Sequence, residues 1–172
     1  MPELPEVETT VRGLAAILDG ERIESAIPRR ADLRWPIPVD IGQRLTGARV
    51  TGLGRRAKYG LIDTDRGDTL IFHLGMSGRW RIDPETLEAH DHFVIETGGG
   101  HRLSLYDPRR FGSLDIVDTQ ALALYKPFVA MGPEPLGPDF DGAYMTRIFE
   151  GRRAPIKAAL LDQRNVAGLG NI

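Results

Sequence analysis

Between Arg49 and Val117 the chain carries seven short runs rich in apolar and β-branched residues, each closed by a turn signal. Arg49 to Leu53 and Tyr59 to Asp63 flank the basic turn Gly54-Arg55-Arg56-Ala57-Lys58. Asp65-Arg66-Gly67-Asp68 is a hairpin turn leading into the apolar run Thr69 to Leu74. Gly75-Met76-Ser77-Gly78 interrupts, and Arg79 to Ile82 resumes. His92 to Glu96 and Arg102 to Tyr106 form a hairpin across Gly98-Gly99-Gly100, and Gly112 to Val117 is the last run. Many short strands at such close spacing predict an antiparallel sandwich or barrel.

Helical patterns lie outside this block. From Pro5 to Asp19, Val7, Val11, Leu14, Ala15 and Leu18 recur at helical spacing, with Gly20 as the stop. A short strand over Arg22 to Ile27 and a loop over residues 31–43 connect that helix to the strands. After Asp118 the pattern changes. Ala121 to Tyr125 reads as a short helix, and Pro127, Pro133, Pro135 and Pro138 stiffen a connector. Tyr144 to Glu150 and Ile156 to Leu161 read as helices. The expected fold class is therefore α+β: an amino-terminal helix on an antiparallel β-sandwich over residues 1–130, then a linker and helical segment over 131–172.

No apolar run reaches membrane-spanning length and no signal core is present, so a cytoplasmic monomer with no membrane partner is expected. The absence of cysteine excludes disulfides and cysteine-ligated metal from this chain. A net charge of -2 argues against a uniformly basic nucleic-acid binder, but the charge is segregated. Glu3, Glu6, Glu8, Asp19, Glu21 and Glu24 make the start acidic, whereas Arg29 to Lys58 is basic. Arg109-Arg110 and the group Arg147, Arg152, Arg153 and Lys157 add further basic clusters. An acidic end with separate basic patches suits a polyanion held against carboxylates.

Chemistry concentrates at Met1-Pro2-Glu3-Leu4-Pro5-Glu6-Val7-Glu8. If Met1 is removed, Pro2 becomes a free secondary amine. An α-amino group titrates at about 7.7–8.0, against about 10.4 for lysine, so far more of it is an unprotonated nucleophile at neutral pH. The same residues also suit a helix start, with Pro5 in the first turn and Glu6 facing the positive end of the dipole. Gly168-Leu169-Gly170 lacks the preceding apolar strand of a dinucleotide site, and Gly-Met-Ser-Gly misses the spacing of a nucleophile elbow. His90-Asp91-His92 with His101 fits a polar hairpin end as well as it fits a metal site.

The ordered set Pro2 to Glu8, Lys58-Tyr59-Gly60, His73-Leu74-Gly75-Met76-Ser77-Gly78, Asp107-Pro108-Arg109-Arg110-Phe111-Gly112 and Val166-Ala167-Gly168-Leu169-Gly170-Asn171-Ile172 resembles the formamidopyrimidine-DNA glycosylase family. The resemblance implies base-excision repair of damaged double-stranded DNA. It implies removal of oxidised purines such as 8-oxoguanine through a Schiff base on Pro2, followed by β,δ-elimination. Glu3 would be the general acid/base, Glu6 a supporting carboxylate, and Lys58 and Asn171 phosphate ligands. Met76, Arg109 and Phe111 would enter the duplex as the target nucleotide flips out. Arg110, His73 and His92 would complete the DNA contacts. The family's helix-two-turns-helix motif would continue past Ile172, and its zinc finger would lie there too, leaving no cofactor in this chain. Two readings stand beside this one: the endonuclease VIII branch, which acts on oxidised pyrimidines, and a non-catalytic module that senses distorted duplexes.

Overall fold

The computed structural model describes residues 1–171. Its first element, α1 (Leu4–Leu18), starts where expected. Glu3 is the N-cap, Pro5 lies in the first turn, and the Glu6 carboxylate reaches back to accept the Glu3 backbone N–H at 2.9 Å. This bond fixes the backbone at Glu3 with a side chain three residues on. Val7, Val11, Leu14 and Leu18 share the buried face, each burial worth roughly 1.5–3 kcal/mol of transfer free energy.

Eight strands make two four-stranded antiparallel sheets. β1 (Ile23–Pro28), β6 (Asp91–Thr97), β7 (Arg102–Tyr106) and β5 (Arg79–Ile82) form one sheet in that order. β2 (Val50–Arg56), β3 (Tyr59–Thr64), β4 (Asp68–His73) and β8 (Ser113–Asp118) form the other. Every pairing is antiparallel. The core lies between them: Ile62, Leu70 and Phe72 from one sheet pack with Phe93, Ile95, Leu103 and Leu105 from the other, under the apolar face of α1. Trp80 joins the sheets edge-on, its ring 5.5 Å from Phe72 and 6.4 Å from Phe93.

The structure departs from the sequence pattern at three places. Residues 31–43 are not a plain loop: Leu33, Ile37 and Ile41 are buried anchors, and α2 (Ile41–Leu45) begins at the last of them. The basic turn is shorter than expected, because β2 runs on to Arg56 and Ala57-Lys58 alone make the reversal, with Ala57 at φ +52°. Past β8, residues Thr119–Leu124 form a 3₁₀ helix, and α3 (Lys126–Val129) follows where Pro127 suggested only a connector. Proline in a first turn starts a helix as readily as it ends one. α4 (Gly142–Phe149) is capped by Asp141, which accepts the Tyr144 N–H at 2.8 Å, and α5 (Ile156–Leu161) completes the elements. Among the described residues no helix is long and apolar enough to cross a membrane.

Candidate nucleic-acid interface and amine site

The start of α1 delivers Glu3 to the inside of the molecule, where its side chain is 4% exposed. The β2–β3 turn delivers Lys58 to the same point, its Nζ 2.5 Å from Glu3 Oε2. The Lys58 ammonium and the capping-box contact with the Glu6 backbone N–H are the partners of the buried Glu3 carboxylate. A buried ion pair is a poor device for stability, because desolvation consumes much of the Coulombic gain.

The turn that carries Lys58 is clamped from a distance. Glu134 accepts the Ala57 N–H at 2.6 Å, Arg55 Nη1 at 2.7 Å and Arg56 Nη1 at 2.9 Å. Arg55 also donates to Glu8 Oε2 of α1 at 2.8 Å. Burial opposes ionisation of Glu134, but the Ala57 N–H and the two guanidinium groups outweigh it and hold its carboxyl below the usual range. The Arg55 bond, helped by Arg12, likewise holds Glu8 low against the opposing effect of burial.

A second assembly joins the 75–78 and 107–112 loops around Asp107, which is fully buried. Its Oδ1 accepts Ser77 Oγ at 2.7 Å and its Oδ2 accepts the Gly112 N–H at 2.8 Å. Ser77 Oγ in turn accepts the Arg109 N–H at 3.2 Å. The loops touch backbone to backbone: a Cβ on Gly75 (φ +60°) would strike the Phe111 carbonyl, so no larger residue fits there. This scaffold leaves Met76 and Phe111 both 42% exposed and sets the Arg109 guanidinium 4.9 Å over the Phe111 ring. They project into an open cleft of about 630 Å³, whose wall also includes Leu33, Arg34 and Arg110.

A neighbouring cleft of about 410 Å³ is lined by Lys58, Tyr59, Gln163, Gly170 and Asn171. Met1 and His73 line both clefts. The chain start, with Pro2 next to it, therefore sits where the two meet. His73 is pushed down to about 4 by burial, with Lys58 and Arg34 adding repulsion, so its ring is neutral at pH 7. Its Nδ1 accepts the Gly75 N–H at 3.0 Å, which assigns the ring proton to Nε2.

The expected site residues divide accordingly. Lys58, His73, Met76, Arg109, Arg110, Phe111 and Asn171 line the two joined clefts; Pro2 adjoins them through Met1, Glu3 through its pair with Lys58, and Glu6 holds the Glu3 backbone from behind. His92 does not join them. It is buried, and its Nε2 is 2.9 Å from the Asp107 carbonyl, so it braces the Arg109 loop instead of facing a ligand. The exposed ring is that of His90, edge-on to Tyr106. Simple alternation places both histidines on one face; a register shift between Asp91 and Phe93 breaks that rule. Sequence reasoning also passed over Arg34, Gln163 and Glu134, the last of which finds its partners 77 to 79 residues away. His101 bonds Asp83 at 2.9 Å, away from the other histidines. A zinc site is implied by the family resemblance, but the chain has no cysteine, and among the described residues no three His, Asp or Glu side chains are placed to hold a metal. The residues present do not make up a zinc site.

Residues 1–114 match the family described as formamidopyrimidine-DNA glycosylase N-terminal domain, and residues 131–172 match the formamidopyrimidine-DNA glycosylase H2TH domain. Over its whole length the chain is 67% identical to a formamidopyrimidine-DNA glycosylase of Rhizorhabdus wittichii and 65% identical to one of Novosphingobium aromaticivorans. It spans 64% of the length of each. Among solved structures, 99% of the chain superposes on Lactococcus lactis Fpg in complex with DNA containing N7-benzyl-Fapy-dG (TM-score 0.88, 33% identity). A complex of the Lactococcus lactis protein with abasic-site DNA matches at TM-score 0.87 and 34% identity. The chain covers 64% of the protein in each of these structures as well.

Proposed function

We propose, from the premise that this chain belongs to the formamidopyrimidine-DNA glycosylase family, that it supplies the amine and acid/base groups of a DNA glycosylase/AP lyase acting on oxidised purines. The observation that carries the reading is the chain start at the junction of two clefts, above the buried Glu3–Lys58 pair. With Met1 removed, the Pro2 nitrogen attacks the sugar carbon that bears the damaged base, and the base departs with the electrons of the glycosidic bond. Glu3 takes the amine proton and returns it to the ring oxygen as the sugar opens, leaving an iminium. The iminium acidifies the neighbouring C–H. Loss of that proton expels the 3′ phosphate, a second elimination expels the 5′ phosphate, and water releases Pro2.

Lys58 and Asn171 bind backbone phosphate on either side of the amine, and the neutral His73 offers an Nε2–H donor without charge. Met76 and Phe111 fill the gap left by the flipped nucleotide, Arg109 bonds the stranded partner base, and Arg110 and Arg34 face the backbone. Glu6 acts through the backbone of Glu3. The division into a catalytic unit over 1–130 and the start of a DNA-binding unit over 131–172 belongs to the same proposal, as do a bacterial cytoplasmic location and a monomeric state.

Borohydride trapping on a duplex with an abasic site tests the reading. A covalent adduct that maps to Pro2 and disappears in Pro2→Gly is expected. DNA binding with no adduct, by a chain whose mass shows Met1 removed, would overturn it and favour a non-catalytic damage sensor.

A further inference from the structure

The loop that ends in Asn171 is held by a side chain that the proposed chemistry does not use. Gln163, just past α5, places its amide against this loop. Its Oε1 accepts the Gly168 N–H at 2.7 Å. Its Nε2 donates to the Leu169 carbonyl at 2.9 Å and to the Leu161 carbonyl at 3.2 Å. Both amide protons are thus committed to backbone, and the side chain lines the cleft without a free donor. The Gln163 carbonyl also accepts the Gly132 N–H at 2.8 Å, and the Gly132 carbonyl accepts Arg56 Nη2 at 2.8 Å, which leads back to the turn carrying Lys58.

The opposite side of the loop has no slack. Gly168 adopts φ +90°, and a Cβ there would lie 3.3 Å from the Ala57 backbone and press on Leu4. A Cβ on Gly170 would overlap the Glu3 carboxylate. The loop therefore runs in a slot between the Gln163 amide and the Glu3–Leu4–Ala57 surface. Displacing either wall moves Asn171 relative to Lys58.

We infer that Gln163 is a positioning residue that sets the Asn171 amide at the phosphate end of the cleft. The inference rests on the proposed reading for what the cleft binds, and on the hydrogen bonds alone for the clamp. Gln163→Ala removes all three bonds. Gln163→Glu keeps the shape and the acceptor for Gly168 but turns a carboxylate oxygen toward two carbonyls, so it reports on the bonds where the alanine variant loses packing too.

The test combines amide exchange on the free chain with binding of an abasic-site duplex, read for wild type, both Gln163 variants, Asn171→Ala and the double variant Gln163→Ala/Asn171→Ala. Exchange at Gly168, whose N–H the Gln163 oxygen accepts, should rise roughly tenfold in Gln163→Ala and by less in Gln163→Glu, which keeps that acceptor. The half-saturating duplex concentration should rise roughly tenfold, with a smaller change in trapping rate at saturation. Adding Asn171→Ala to Gln163→Ala should cost under about twofold more, because the amide is already misplaced. Unchanged exchange, or full additivity of the two substitutions, would overturn the inference. Exchange is read without DNA and the cycle without chemistry, so a wild-type chain that binds but does not trap counts against the proposed function and not against the clamp.

Discussion

Two buried carboxylates in this molecule have opposite surroundings. Asp107, at the root of the Arg109 loop, is fully buried and has both oxygens satisfied, by Ser77 Oγ and by the Gly112 N–H. Its own carbonyl also meets His92 Nε2. Glu3, at the start of α1, is almost as buried, yet its partners are a lysine charge and the first turn of its own helix. A satisfied buried carboxylate fixes a scaffold, since each partner would be left unpaired by its loss. A carboxylate held mainly against a lysine that lines an open cleft keeps its charge beside the space a ligand would fill, which is the pattern of a group held for chemistry.

The contrast is open to attack from both sides. Glu3→Gln should produce the largest effect, a loss of roughly 10²–10⁴-fold in the rate of adduct formation with abasic DNA. A Glu3→Gln chain that traps normally and melts early would make Glu3 the structural member of the pair. Asp107→Ala should act on stability, costing about 2–4 kcal/mol in urea unfolding because Ser77 and Gly112 both lose their acceptor.

His73 gives an intermediate, pH-dependent effect. Its folded value of about 4 lies below the ordinary 6.5, so the unfolded chain binds the proton more tightly. The stabilisation from a neutral His73 is complete above about pH 6.5 and is lost as pH falls toward 4, with an upper bound near 3 kcal/mol. His73→Gln should flatten unfolding free energy over that window; an unchanged acid limb would mean the ring is not buried in solution. The smallest effect on the fold should come from Phe111→Ala. The ring is half in solvent, so stability should stay within about 0.5 kcal/mol, while affinity for abasic DNA falls several-fold. Equal loss of stability would place Phe111 in the core and remove it from the interface.

Much of the scaffold was legible because it is encoded by neighbours in sequence. The α1 face follows from Val7, Val11, Leu14 and Leu18 at helical spacing, and the strands from alternation between turn residues. The limits of that legibility are local as well. The β2–β3 turn looked longer because Arg55 and Arg56 are charged. In the fold their charges are paired with Glu8 and Glu134, so a strand tolerates them. His92 was expected among the DNA contacts from the family resemblance, whereas the fold buries its ring against the Asp107 carbonyl, beside a register shift in its strand.

What the sequence determined by itself was the inventory: an antiparallel sandwich behind one amphipathic helix, a proline beside the chain start, two glycine-bounded loops and the motifs they carry. Short-range periodicity and turn chemistry suffice for that, since each element is chosen by residues a few positions apart. The tertiary structure decided which of these meet. Glu134 reaches Ala57 across 77 residues, Ser77 reaches Asp107 across 30, and Lys58 reaches Glu3 from another element altogether. Such contacts depend on how whole sheets, loops and helices pack, and the close approaches at Gly75, Gly168 and Gly170 exist only once distant segments are brought together. No local pattern carries that information, because the partner that gives each residue its role is specified elsewhere in the chain.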